Sequence, residues 1–311
     1  MKKLFFILQP VLFIAFNFSL LMAGYQLMEA AGSKNKISDS DPRYNDKEDF
    51  DPSLLRLTSM EKLTAYCDSL YEEKANAGGP VKFEEDYTNI AASVIRKRFY
   101  HGYSYYGLDN NFLGVLIADV SIRGLRAIVI PDDMLKYPYA ACSQQSVILM
   151  KIFQQKGFTT RKVGFQGKKD GHFCFETDYE GSWHFFDPDM EPDIAIMNAY
   201  HRPSIQFLAH HPDILLKAYK QFPAEKVLDV FPNYFYGPLN TIPGTNAIIF
   251  QKATKALSYF IWAIFLLLFV MARRKYLRLS NQYVRNRRVS ILNLQQGRSL
   301  QDYPLYTAQG A

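Results

Sequence analysis

Two long apolar segments, one near each end of the chain, constrain its fold more than any other feature. The first covers residues 4–28 and the second covers residues 256–272. About 20 apolar residues cross the hydrocarbon core of a bilayer, so the first segment is long enough and the second lies at the short end of the range. We therefore predict transmembrane helices at residues 1–28 and 251–272. A cleavable signal peptide is the alternative for the first segment, and a buried core helix is the alternative for the second.

The positive charge of the chain is concentrated directly after the second apolar segment. The formal net charge is +6, and the basic residues of this stretch are Arg273, Arg274, Lys275, Arg278, Arg285, Arg287 and Arg288. Such residues hold the adjoining end of a span on the cytoplasmic side, and Lys2 and Lys3 favour the same side for the N-terminus. The pattern predicts a membrane hairpin with both termini cytoplasmic, a basic tail at residues 273–311 and an external domain. A basic cluster beside a span does not indicate nucleic-acid binding.

The chain between the apolar segments is long enough for one packed domain. Residues 29–52 are polar and mixed in charge, which is typical of a linker, and residues 53–250 are expected to form the domain. The cysteines of the chain are Cys67, Cys142 and Cys174. They are too few for a disulfide framework, so the domain must depend on its hydrophobic core. Helical periodicity before about residue 100 and over residues 190–250, with alternating segments between, predicts an α+β fold.

Cys142 is predicted to open a helix. A periodic segment follows it and ends at Gly157, which suits the position just past a helix C-terminus. The buried face of this helix is predicted to contain Ile148, Leu149, Ile152 and Phe153. At a helix N-terminus, unpaired N–H groups and the positive end of the helix dipole favour a thiolate, which is the nucleophilic form of cysteine. A backbone N–H at the same place can also donate a hydrogen bond to an oxyanion.

A β-hairpin is predicted downstream of this helix from alternation and turn residues. Suppose that the loop closes with Thr177 opposite Ser182. In an antiparallel pair the residue numbers of opposed residues always add up to the same value, so His172 then lies opposite Asp187. Directly opposed side chains share a face of the sheet, which would place an imidazole beside a carboxylate. In the same register His184 points to the other face.

The order of these residues resembles the transglutaminase-like superfamily, whose arrangement of groups is shared with papain-like thiol enzymes. The resemblance covers about residues 85–195: Cys142 opens a helix, His172 heads a strand, and a Trp-x-x-x-Asp-Pro sequence ending in Asp187 and Pro188 closes the next strand. It implies helices packed on a small antiparallel sheet, with Cys142 as nucleophile, His172 as general base and acid, and Asp187 as orienting carboxylate.

Two residues depart from the pattern of the superfamily. Ala141 precedes the cysteine where glycine is commoner, and Cys174 follows the histidine by two residues where an aromatic side chain is often found. Neither change removes one of the three expected groups. The histidines are otherwise scattered, and His210 and His211 lack a convincing ligand set, so neither a metal ion nor a cofactor is expected.

The resemblance and the two apolar segments together imply a membrane-anchored thiol enzyme that acts on amide bonds. Water as the second nucleophile would make it a peptidase or amidase, and an amine would make it an acyltransferase or crosslinker. The expected location is a bacterial cytoplasmic (inner) membrane, with a peptide or another amide-containing envelope component as substrate. Because the superfamily includes members that bind without catalysing, a non-catalytic binding or scaffold module of a cell-envelope assembly is the alternative.

Overall fold

A computed structural model describes residues 2–32, 49–121, 125–168 and 171–301 of the chain. The predicted linker at residues 29–52 lies mostly outside these residues, as does the end of the predicted tail. The described ranges contain helices together with one two-stranded and one four-stranded sheet, which confirms the predicted α+β class.

The described residues form eleven α-helices and six β-strands, besides a short 3-10 helix at Pro52–Arg56. The helices are α1 (Lys2–Gly32), α2 (Met60–Asn76), α3 (Phe83–Arg98), α4 (Leu108–Ser121), α5 (Pro131–Met134), α6 (Cys142–Gln155), α7 (Ile194–Ala199), α8 (Ile205–His210), α9 (Pro212–Ala218), α10 (Ala224–Val230) and α11 (Thr245–Gln301). The strands are β1 (Tyr100–His101), β2 (Tyr139–Ala140), β3 (Thr159–Gln166), β4 (Gly171–Tyr179), β5 (Ser182–Phe186) and β6 (Tyr234–Leu239).

Helices α1 and α11 are both long and apolar enough to cross a membrane, as predicted. Residues 2–28 of α1 and residues 256–301 of α11 belong to one compact unit. Within this unit the two helices run antiparallel, because the ring of Phe13 lies 5.5 Å from that of Phe269 while Lys2 Nζ lies 5.0 Å from the ring centroid of Tyr283. The basic residues at the start of α1 and those in the later part of α11 therefore lie at the same end of the helix pair.

The second unit, Glu29–Lys255, contains the four-stranded sheet, in which every strand pair is antiparallel. The strand order is β5-β4-β3-β6. Helix α6 covers one face, where the ring of Phe153 packs against Phe175 at 5.5 Å and against Phe186 at 5.1 Å. Since side chains alternate along a strand, the neighbouring residues of β4 and β5 point to the opposite face.

The opposite face of the sheet is covered by residues from helices α7 to α10 and the segments that join them. Its buried cluster contains Val163, Phe165, Cys174 and Phe185 of the sheet together with Leu208, Leu215, Tyr219 and Phe231 of the helical region. Burial on both faces explains why β4 and β5 have apolar and aromatic residues on either side of the pleat.

Residues 190–250 are mostly helical with turns, as predicted, and strand β6 is an exception that was not predicted. It pairs with β3 as an edge strand, with Phe235 opposite Gly164. Pro238 has no N–H to donate, which an edge strand tolerates. A Cβ at position 164 would lie 2.4 Å from the Phe235 ring, so the glycine makes room for that ring. The aromatic run Tyr234–Tyr236 favours a strand locally, and pairing with β3 determines where that strand lies.

The first turns of α11 are anchored in the domain by buried polar side chains. Gln251 is fully buried, donates to the carbonyl oxygens of Leu125 and Ala127 at 3.1 and 2.6 Å, and accepts from the N–H of Val129 at 3.0 Å. Lys255 Nζ lies 2.7 Å from both carboxylate oxygens of Asp133. The domain therefore continues directly into the start of this helix.

Candidate active site

Helix α6 begins at Cys142, as predicted, and Gly157 follows its end with a φ of +88°. The start of the helix is fixed by Gln144, whose Oε1 accepts from the Ala141 N–H at 3.2 Å and whose Nε2 donates to the Ile128 carbonyl at 2.7 Å. The backbone N–H of Cys142 belongs to the first helical turn, where the helix itself provides no acceptor. A donor for an oxyanion therefore lies beside the thiol.

The structure brings His172 and Asp187 together, with Nε2 of the ring 2.8 Å from Oδ2 of the carboxylate. Their predicted proximity is confirmed, but the predicted register is wrong. Tyr179 pairs with Ser182, and Thr177 pairs with His184 instead of Ser182.

The register differs because the turn contains two residues where four were expected. Glu180 and Gly181 have φ values of +50° and +77°, which is typical of the two-residue turns that match the twist of a hairpin. The shift is an even number of residues, so every side chain keeps its predicted face. Asp187 follows the end of β5 and reaches His172 diagonally.

Asp187 is held as a buried carboxylate by four donors. Oδ1 accepts from the backbone N–H groups of Asp189 at 3.3 Å and Met190 at 3.0 Å, and Oδ2 accepts from the Tyr219 hydroxyl at 3.0 Å as well as from His172. Burial alone raises the pKa of Asp187, but the charge of His172 and these hydrogen bonds outweigh it and lower that pKa below its usual range. The carboxylate therefore stays ionised at neutral pH.

Cys142 faces the same imidazole. Its Sγ, a ring nitrogen of His172 and a carboxylate oxygen of Asp189 all lie within 4.8 Å of one another. Because Nε2 of His172 is bonded to Asp187, Nδ1 is the nitrogen left for the thiol. Burial lowers the pKa of His172, but the charge of Asp187 and the hydrogen bonds outweigh it and raise the pKa well above its ordinary value.

The other two cysteines are buried in the core. Burial raises the pKa of Cys67 to about 12 and that of Cys174 well above its ordinary value, so both thiols stay protonated at neutral pH. Cys174 shares the face of His172, as predicted, and belongs to the apolar cluster on that side. Cys142 is half-buried, which leaves it the accessible thiol of the described residues.

His184 is a structural residue on the other face, as predicted. Its Nδ1 lies 2.8 Å from the Arg202 carbonyl oxygen, its Nε2 lies 3.1 Å from the Tyr179 carbonyl oxygen, and its ring stacks on that of Tyr179. Both ring nitrogens are thereby occupied by the backbone.

The sequence did not indicate Asp189, although its carboxylate lies closest to the Cys142–His172 pair after Asp187. The Asp189 side chain is only 2 % exposed, and its Oδ1 lies 2.9 Å from Gln145 Nε2 and 2.8 Å from His101 Nδ1. If the hairpin register is extended beyond β5, position 189 falls opposite position 172. The correct turn would therefore have pointed to this residue.

These groups lie at a cleft of about 660 Å³. Its polar lining residues include His101, Gln145, Asp189 and Lys226. Its apolar lining residues include Met190, Phe222, Val227, Val230 and Phe231. A cleft of this size that combines apolar residues with a few polar groups is typical of a ligand-binding site.

The chain matches no protein-family model, no curated protein and no solved structure. The interpretation of the cleft therefore depends on the geometry of its residues.

Proposed function

We propose that this protein is a membrane-anchored, transglutaminase-like thiol enzyme that acts on amide bonds. One observation carries the proposal: Cys142, at the N-terminus of α6, lies within 4.8 Å of His172, and His172 is hydrogen-bonded at 2.8 Å to the buried carboxylate of Asp187. A thiol, a base and a group that orients the base are the parts that nucleophilic catalysis requires.

In the proposed reaction, Nδ1 of His172 takes the thiol proton and Cys142 Sγ bonds to the amide carbonyl carbon. The backbone N–H groups at the start of α6 stabilise the negative charge that develops on the carbonyl oxygen. The C–N bond then breaks, and His172 gives its proton to the leaving amine. In the second half, water or another amine attacks the thioester, its proton passes to His172, and Cys142 leaves as a thiol.

The proposed location is the outer side of a bacterial cytoplasmic membrane. Helices α1 and α11 are long and apolar enough for two spans, and Lys2 lies against Tyr283 at the end of the pair that also contains the arginine-rich stretch. Basic residues at one end of both spans favour cytoplasmic termini and an external domain. The proposed substrate is therefore a peptide or another amide-containing component of the cell envelope.

The second candidate function is a non-catalytic binding module that uses the same cleft. The buried carboxylate of Asp189 favours it, because this group lies within 4.8 Å of Sγ and can accept a hydrogen bond from a bound ligand, whereas the thiol mechanism gives it no role. In this alternative the cleft would hold a peptide or glycan-linked ligand of an envelope assembly without breaking a bond.

The two candidates differ in the reactivity of Cys142. The full-length chain in detergent is treated with iodoacetamide at pH 7, and peptide-resolved mass spectrometry follows each cysteine. For the enzyme, Cys142 labels faster in the folded chain than in the urea-unfolded chain, and His172→Gln removes the difference. His210→Gln, at an exposed histidine, is the matched control and leaves the rate unchanged. Equal labelling of Cys142 in the folded wild type and the His172→Gln variant would refute the enzyme mechanism and favour the binding module.

A further inference from the structure

We propose that Cys142, His172 and Asp189 also form a binding site for one divalent metal ion of the zinc class. The three side chains offer a sulfur, a nitrogen and an oxygen, and these atoms lie within 4.8 Å of one another at the wall of the cleft. This inference goes beyond the proposed catalytic role and does not depend on it, because it uses only the positions of the donor atoms.

The donor set matches the preference of zinc. Zn²⁺ binds thiolate, imidazole and carboxylate ligands, and sites with three protein ligands keep a fourth position for water or another small ligand. Mg²⁺ and Ca²⁺ prefer oxygen ligands alone, so the thiolate discriminates against them. Since Cys142 and Asp189 both line the cleft, the fourth position would be reached from solvent.

The distances require only a small adjustment. Zinc–ligand bonds of about 2.0–2.3 Å in a tetrahedral site place one sulfur, one nitrogen and one oxygen ligand about 3.3–3.6 Å apart. The observed separations are at most 4.8 Å, so the three atoms would approach one another by about 1.5 Å or less. Rotation of the Cys142 and Asp189 side chains is enough for a shift of this size.

The surrounding hydrogen bonds suit a metal site. A metal-binding histidine usually donates its second ring N–H to a carboxylate, and His172 Nε2 lies 2.8 Å from Asp187 Oδ2. Asp189 is likewise oriented by Gln145 Nε2 at 2.9 Å and by His101 Nδ1, which lies 2.8 and 2.9 Å from its two carboxylate oxygens. Oε1 of Gln145 is buried and has no hydrogen-bond partner among the described residues. A water molecule on the metal ion would find an acceptor there.

The ion would give Asp189 a role beyond its contacts with His101 and Gln145, since the thiol mechanism does not use this carboxylate. A carboxylate beside a thiolate is repulsive in a partly desolvated cleft, whereas a divalent cation is attracted to both groups and balances their two charges. On binding, the ion displaces to solvent the one proton that Cys142 Sγ and His172 Nδ1 share. Metal binding and nucleophilic attack by Cys142 would therefore exclude each other, and zinc would act as a reversible inhibitor.

The test measures zinc protection of Cys142 on the full-length, untagged chain in detergent. The rate of iodoacetamide labelling of Cys142 is measured at several buffered concentrations of free zinc. For each variant, the ratio of the rates with and without zinc gives the dissociation constant of the zinc complex. At a free zinc concentration ten times the dissociation constant, only about one site in eleven is empty, so labelling is expected to slow about tenfold. Asp189→Asn is expected to weaken binding at least tenfold, while Asp213→Asn, at an exposed aspartate, leaves it unchanged.

A second readout uses the wild-type chain, so it does not depend on the folding of the Asp189 variant. One equivalent of Co²⁺ is expected to produce thiolate-to-cobalt charge-transfer absorption, which Zn²⁺ abolishes and Cys142→Ser lacks. No such absorption, or equal zinc protection in the wild type and Asp189→Asn, would overturn the metal site. If cobalt binds but Cys142 labels slowly and at a rate that does not depend on His172, the enzyme mechanism is refuted and the metal site stands. If Cys142 labels fast but no metal binds, the metal site is refuted and the enzyme mechanism stands.

Discussion

Replacement of Asp187 by asparagine changes the hydrogen-bonding role of a single atom at the centre of the candidate site. Oδ1 of Asp187 accepts two backbone N–H groups, so the amide oxygen of asparagine is expected to take that position. The amide NH₂ then faces Nε2 of His172. The ring must accept there, which moves its proton to Nδ1, the nitrogen that faces Cys142. In this tautomer His172 cannot take the thiol proton.

The size of the effect follows from the fraction of thiolate. An ordinary thiol with a pKa of about 8.5 is roughly 3 % ionised at pH 7, so complete loss of activation slows labelling of Cys142 by up to about 30-fold. A thiol with a higher pKa forms less thiolate, but that thiolate is intrinsically more nucleophilic, which offsets part of the loss. We therefore expect labelling of Cys142 in the Asp187→Asn variant to be about tenfold slower. The free energy of unfolding should fall by about 1–3 kcal/mol, because the Tyr219 hydroxyl loses its acceptor and the bond to His172 is no longer charge-assisted.

The assay is peptide-resolved iodoacetamide labelling at pH 7 of the full-length chain, with circular dichroism as the check on folding. Tyr219→Phe is the graded variant, because it removes one donor to Asp187 but leaves the histidine tautomer unchanged, so its rate should fall by less than threefold. Asp213→Asn is the matched control. A folded Asp187→Asn variant that labels at the wild-type rate would show that Asp187 does not orient His172 for the thiol.

Three further predictions concern the fold. Gly164→Ala should destabilise the domain by about 1 kcal/mol, because the new Cβ displaces the Phe235 ring, and combining it with Phe235→Ala should recover part of this cost in urea unfolding. Burial raises the pKa of Asp133, but Lys255 outweighs it and lowers that pKa. The Asp133 ion pair should thus stabilise the fold above about pH 4 and lose its effect as pH falls through the folded pKa, so the stability gap between wild type and Lys255→Met should close in acid. Gln251→Leu should cost about 1–3 kcal/mol, because three partly buried backbone groups lose their partners. Unchanged amide exchange at Val129 would contradict this.

Several features of the protein were determined by local sequence alone. The two apolar segments form helices because their length and composition permit few other structures. Helix α6 begins at Cys142 and ends before Gly157, since a glycine with positive φ terminates a helix wherever it stands. The faces of His172 and His184 followed from alternation along a strand, which an even shift in register preserves. The proximity of His172 to Asp187 was predictable for the same reason.

Other features were decided only by tertiary structure, because they depend on residues that are distant in the chain. Strand β6 contains aromatic residues that favour a strand, but only its pairing with the distant β3 places it at the edge of the sheet. Tyr219 reaches Asp187 from 32 residues away, and His101 reaches Asp189 from 88 residues away. The local pattern determines which residues can share a face, whereas closure of these long loops determines which of them meet at the thiol.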